Sequence, residues 1–134
     1  MIDKLKVEEL EAFRDERGWN THPVDEAQLA AGGFSNIHLV SMEPGTIRGN
    51  HRHFEQTEQV LIIGGPCLFV AADRESGEKF ERVFQPGELF RITLAPGLPH
   101  AFKNIGDSVC YLLCASDVAF DPENPDTIRD IVID

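Results

Sequence analysis

Short apolar runs, broken at close intervals by turn residues, constrain this 134-residue chain more than any other feature. Ile37–Glu43, Glu58–Ile63, Cys67–Ala72, Phe80–Phe84, Leu89–Leu94 and Val109–Ala115 each have the length and composition of a β-strand. Between them lie turn clusters such as Arg74-Glu75-Ser76-Gly77, Gln85-Pro86-Gly87-Glu88, Ala95-Pro96-Gly97 and Asn104-Ile105-Gly106-Asp107. Strands of this length and spacing predict an all-β sandwich or barrel. Ahead of them, Val7–Phe13 reads as a short helical turn or the lead into a strand. Gly18 sits in a turn cluster where a positive φ is needed, and Ala27–Ala31 reads as a short helix stopped by Gly32-Gly33.

One stretch among these runs carries chemistry. From Gly45 to Gly65 the sequence is GTIRGNHRHFEQTEQVLIIGG. On a strand, His51 and His53 leave the same face with their Cα atoms roughly 7 Å apart, so both imidazoles reach one ion. Glu58 opens the next alternating run, Glu58–Ile63, which reads as the neighbouring strand of a hairpin and brings a carboxylate to the same place. Arg52, between the two histidines, points the other way and is expected to be a surface ion-pair partner.

The spacing of Gly45, His51, His53, Glu58 and Gly65 resembles the first motif of the cupins. Gly97-Leu98-Pro99-His100 with Asn104 resembles the second. That second match departs from the pattern upstream, where Gly87 lies two residues too far from Gly97 and Ala95 occupies the proline position beside Pro96. The resemblance implies a single cupin jelly-roll barrel, with a barrel core of about residues 35–116 behind a short N-terminal extension. It also implies a metal site of His51, His53, Glu58 and His100. Three imidazoles and a carboxylate suit one divalent ion, Zn²⁺ first, with Fe²⁺, Mn²⁺, Co²⁺ and Ni²⁺ also compatible. A lone loop histidine such as His100 is ordinarily structural; the combination is what argues for a ligand set.

Charge narrows the partners. Twelve Lys and Arg stand against 23 Asp and Glu, a formal net charge of −11, which repels nucleic acid and acidic membrane surfaces. No apolar run follows Met1-Ile2-Asp3-Lys4, and no stretch approaches the roughly 20 residues of a membrane span, so a cytoplasmic protein is expected. Cys67, Cys110 and Cys114 lie inside apolar runs and are expected as buried, reduced thiols. Several runs are apolar on both faces. Leu61 and Ile63 oppose Val60 and Ile62, which predicts a homodimer through sheet packing unless the N-terminal segment provides the cover.

The tail Phe120-Asp121-Pro122-Glu123-Asn124-Pro125-Asp126-Thr127 and the run Arg48-Gly49-Asn50-His51 resemble the cupin half of two-domain capsular-polysaccharide enzymes. More distantly, the Arg-Gly turn near the start and Arg48-Gly49-Asn50-His51 are similar to dTDP-4-keto-sugar 3,5-epimerases. The resemblance implies a metal-dependent isomerase or epimerase acting beside the keto group of a nucleotide sugar. His38, which shares a strand face with Val40 and Met42, is the candidate base, and Arg48 the candidate diphosphate-binding residue. Tyr111 matches no family acid, and Phe54 and Phe102 are expected chiefly as core filling. Two other functions are compatible with the same ligands: an Fe²⁺-dependent cupin oxygenase, and a binding module for a small molecule without turnover.

Overall fold

The computed structural model describes residues 1–134. In chain order the elements are β1 Leu5–Glu9, β2 Ala12–Asp15, β3 Gly18–Thr21, α1 Glu26–Ala30, β4 Asn36–Met42, β5 Ile47–Arg52 and β6 Glu58–Ile63. There follow β7 Cys67–Ala72, β8 Lys79–Phe84, β9 Phe90–Leu94, β10 His100–Asn104, β11 Cys110–Ser116 and β12 Ile128–Arg129. Two five-stranded antiparallel sheets run β1-β9-β6-β11-β4 and β12-β5-β10-β7-β8, and β2 with β3 forms a separate hairpin. From β4 onward the chain passes repeatedly from one sheet to the other. That winding is the expected cupin jelly roll.

The alternation of each strand decides what the barrel holds. Met42, Val60, Ile62, Phe69, Ile92 and Leu112 turn inward and pack into one buried cluster between the sheets. Each such side chain contributes about 1.5–3 kcal/mol on burial, so apolar packing is the main source of stability. Asn104 is fully buried, and its Nδ2 donates to the carbonyls of Met42 and Ser108 while its Oδ1 accepts from the Gly106 amide. It ties the end of β10 to β4 and to the next turn. All three cysteines are free and buried, as expected.

The strand runs read from sequence match β4, β6, β7, β8, β9 and β11 to within a residue or so. Val7–Phe13 divides between β1 and β2, because Leu5–Glu9 finds an open edge on β9, with Val7 opposite Ile92. Gly18 has φ +136° at the β2–β3 turn. The helix is α1, capped by the Asp25 carboxylate accepting from the Gln28 amide. It docks on the outer face of the first sheet, where Gln59 Nε2 donates to Gln28 Oε1 at 3.1 Å and Gln59 Oε1 accepts from the Asp25 amide. Leu61 is covered on that face, while Ile37, Leu39 and Tyr111 stay exposed. No helix is long and apolar enough to cross a membrane.

Candidate functional site

Towards one end of the barrel the inward-facing positions become polar. β5, β10 and the residue after β5 supply His51, His100 and His53, whose ring centroids lie 4.8, 4.9 and 5.3 Å apart. Their ring nitrogens include one from each residue within 4.8 Å of the others. β5 ends at Arg52, so His53 is outside the strand, yet its ring still meets the other two. His51 and His100 face each other directly across the β5–β10 ladder.

That meeting depends on Gly49. It has φ +94°, and a Cβ there would sit 2.8 Å from the His100 carbonyl oxygen, at the bulge between His100 and Ala101. The next residue, Asn50, also has a positive φ, of 55°. Its Oδ1 accepts from the Val132 and Ile133 amides and its Nδ2 donates to the Ile133 carbonyl. The Arg-Gly-Asn-His run therefore shapes the site and anchors the C-terminus.

Two of the three imidazoles are held by hydrogen bonds from Nδ1. Nδ1 of His100 donates to the Leu98 carbonyl at 2.9 Å, and Nδ1 of His53 donates to the Asp126 carbonyl at 2.8 Å. In both rings Nε2 is buried and has no hydrogen-bond partner. Burial pushes His51 down to about 4 and His100 down to about 3, with neighbouring histidines adding to each shift. His53 is lowered by burial too, against the Asp126 contacts. At neutral pH three lone-pair-bearing rings thus converge on one point. A buried nitrogen without a partner is costly, and an ion at the cluster would supply both missing partners.

The opposite sheet provides a second wall. His38 of β4, Glu58 of β6 and Cys114 of β11 bring their ligating atoms within 4.8 Å of one another. Cys114 is the register partner of both His38 and Val60. Glu58 is 7% exposed, and burial alone raises its carboxyl to about 7. His38 Nδ1 lies 3.2 Å from Asn36 Oδ1. Its proximity also helps depress His53.

Both walls open on one cleft of about 920 Å³, lined by all six of these residues and by Arg48. Arg48 donates to the Ser41 carbonyl at 3.1 Å. The mouth is built by the β5–β6 turn, with Phe54, and by the segment after β11, with Phe120 and Asp126. Phe54 and Phe120 are largely exposed.

Every candidate residue named from sequence lines this cleft: His38, Arg48, His51, His53, Glu58 and His100. Arg52 faces away and pairs with Asp130, as its alternation requires. Phe54 is no core residue, being 63% exposed at the mouth, because it sits in a turn; Phe102 is core, at 3%. Tyr111 stands on the outer face of β11. Sequence reasoning missed Cys114, for which the available signal was its alternation with the inward-facing Leu112, and the role of Asp126. No local pattern reports a contact 73 residues away.

Comparison with known proteins agrees with this architecture. The family described as "Polysaccharide biosynthesis C-terminal domain" matches residues 14–128. The chain is 35% identical over 85 residues to UDP-2-acetamido-2,6-beta-L-arabino-hexul-4-ose reductase of Pseudomonas aeruginosa, a match covering 63% of this chain and 23% of that protein. It therefore spans about a quarter of that relative. It is 23% identical over 134 residues to the spore coat polysaccharide biosynthesis protein SpsL of Bacillus subtilis, covering 96% of this chain and 89% of that one. Among solved structures, a dTDP sugar isomerase from Desulfovibrio desulfuricans G20 superposes with a TM-score of 0.81 at 17% identity, over 97% of this chain and 85% of that one. With its cupin barrel and a family match from Arg14 to Ile128, the chain belongs to the polysaccharide biosynthesis C-terminal domain family.

Proposed function

We propose that this chain is an isomerase or epimerase acting on a keto intermediate of a nucleotide sugar in surface-polysaccharide synthesis, and that it uses one divalent transition-metal ion. The two buried, unpartnered Nε2 atoms of His53 and His100 carry the reading. His51, His53 and His100 would hold the ion; Glu58, expected from sequence as the fourth ligand, groups instead with His38 and Cys114 on the facing wall of the cleft. Zn²⁺ is the first choice for such a donor set. A bound divalent ion supplies Lewis acidity towards a substrate oxygen.

The remaining work falls to residues of the chain. Asn36 Oδ1 can accept from His38 Nδ1, which leaves Nε2 of His38 as a base in the cleft. It would take the proton from the carbon beside the keto group. Arg48 would hold a phosphate oxygen, and the exposed rings of Phe54 and Phe120 offer apolar faces to the rest of the ligand. A UDP-linked keto-hexose in the name of one relative, and a dTDP sugar in that of a structural neighbour, support this class of substrate.

Incubation with 4-keto nucleotide sugars in heavy water tests the reading. Deuterium enters beside the keto group in the wild type and not in the His38→Asn variant. Iron content with oxygen uptake would favour the oxygenase, and a ligand-raised melting temperature without exchange would favour a binding module. We also propose a homodimer through the outer face of the first sheet, where Ile37, Leu39 and Tyr111 are exposed; light scattering reads its stoichiometry. A cytoplasmic location is part of the same proposal.

A further inference from the structure

The C-terminal segment touches the three-histidine cluster at one residue, Asp126, on the outer side of the His53 ring. Asp126 Oδ1 accepts from the Phe54 amide at 3.0 Å and the Glu55 amide at 3.1 Å, and Oδ2 accepts from Glu55 at 3.1 Å and Gln56 at 2.9 Å. The carboxylate thus caps the turn that follows His53. The carbonyl of the same residue lies 2.8 Å from His53 Nδ1. Immediately downstream, β12 pairs with β5, placing Ile128 opposite Arg52 and Arg129 opposite His51. Asp130 then bonds Arg52 and Arg74. The segment is fastened on both sides of the ring it touches.

A carbonyl oxygen can only accept, so Nδ1 must carry the proton. Gln56 Nε2 lies 3.0 Å from the same nitrogen; with the proton on Nδ1, exchange of that amide's nitrogen and oxygen puts a second acceptor there. Nε2 is left as a lone pair, buried and facing His51 and His100. His100 gains the same restraint from Leu98, two residues away. His53 depends for it on a segment 73 residues distant in sequence.

We propose that Asp126 is a positioning residue that fixes the His53 tautomer and aims its Nε2 into the three-histidine cluster. The inference rests on the ion-binding reading above. Through Asp126, docking of the C-terminal segment and competence of the cluster become one event: the carboxylate seats the turn, and the carbonyl orients the ring.

The test uses the full chain with Asp126→Ala and Asp126→Asn, the latter keeping size and one acceptor. In chelator-treated protein, nitrogen NMR of labelled histidine reads the tautomer directly, and zinc affinity is measured by competition with a chromogenic chelator. The wild type shows His53 protonated at Nδ1. Asp126→Ala shows a mixture of tautomers and binds zinc about 10–100-fold more weakly, with Asp126→Asn between. If Asp126→Ala does not melt cooperatively, Asp126→Asn carries the comparison. A folded variant with the wild-type tautomer and unchanged zinc affinity overturns the proposal and leaves the ion site standing. If the wild type binds no zinc, the ion reading fails, and the tautomer comparison alone decides the role of Asp126.

Discussion

Arg52 stands between His51 and His53 in sequence, yet its guanidinium bonds Asp130 at 2.9 Å on the side of β5 away from the cleft. Arg48, four residues earlier, lines the cleft. The two arginines therefore separate stability from ligand binding. Arg52→Ala leaves Asp130 with Arg74 alone and lowers stability by about 0.5–1 kcal/mol in urea melts, with ion and UDP affinity unchanged. Arg48→Ala leaves the melt within about 0.5 kcal/mol of wild type and weakens UDP binding by roughly tenfold or more, measured by calorimetry.

Acid destabilises the metal-free protein through the cluster. His51 and His100 have folded values of about 4 and about 3, below the ordinary 6.5. The unfolded chain therefore takes protons first as pH falls below 6.5, and stability drops from there towards the folded values. One histidine that stays neutral costs about 2 kcal/mol by pH 5. Glu58 works in the opposite sense. Its value is raised from 4.5 to about 7, so its penalty is full above 7 and is relieved as pH falls towards 4.5. It offsets about one histidine of the three. Melting temperature after chelation should fall between pH 6.5 and 5, less steeply in His100→Gln and more steeply in Glu58→Gln.

Glu58→Gln trades affinity for stability. Burial alone raises this carboxyl, so removing its charge should stabilise the chelated protein at pH 8 by roughly 1–3 kcal/mol. The same change should weaken zinc binding by more than about tenfold. Denaturant melts and zinc competition on one preparation check both directions.

Much of this was legible because periodicity and motif agreed. The alternation of β4 placed His38 with Val40 and Met42, and the structure puts His38 and Val40 in the cleft and Met42 in the core below it. The same rule turned Arg52 outward. What was hidden came from pairings between distant segments. β1 is a strand because β9 has a free edge, and β12 is two residues long and exists only beside β5. Phe54 was read as core because aromatic character says nothing of a turn position at a cleft mouth. Asp126 was visible only as part of a tail motif, since its partners lie across the barrel.

Gly49 and Gly45 separate steric fit from backbone strain. Both have positive φ, but a Cβ on Gly45 meets nothing within 4 Å, whereas one on Gly49 lies 2.8 Å from the His100 oxygen. Gly45→Ala should cost about 1 kcal/mol, and Gly49→Ala more than about 2 kcal/mol, with zinc affinity lost only in the latter. Thermal melts and zinc competition compare the pair.

The central claim is that His51, His53 and His100 form an ion site, and elemental analysis tests it most directly. Untagged protein purified without chelator, and again after reloading with zinc and dialysis, is compared with His51→Ala and His100→Ala. The account predicts close to one divalent ion per chain in the wild type and loss of it in both variants. Wild type that retains no ion after reloading, or variants that keep it, would contradict the account.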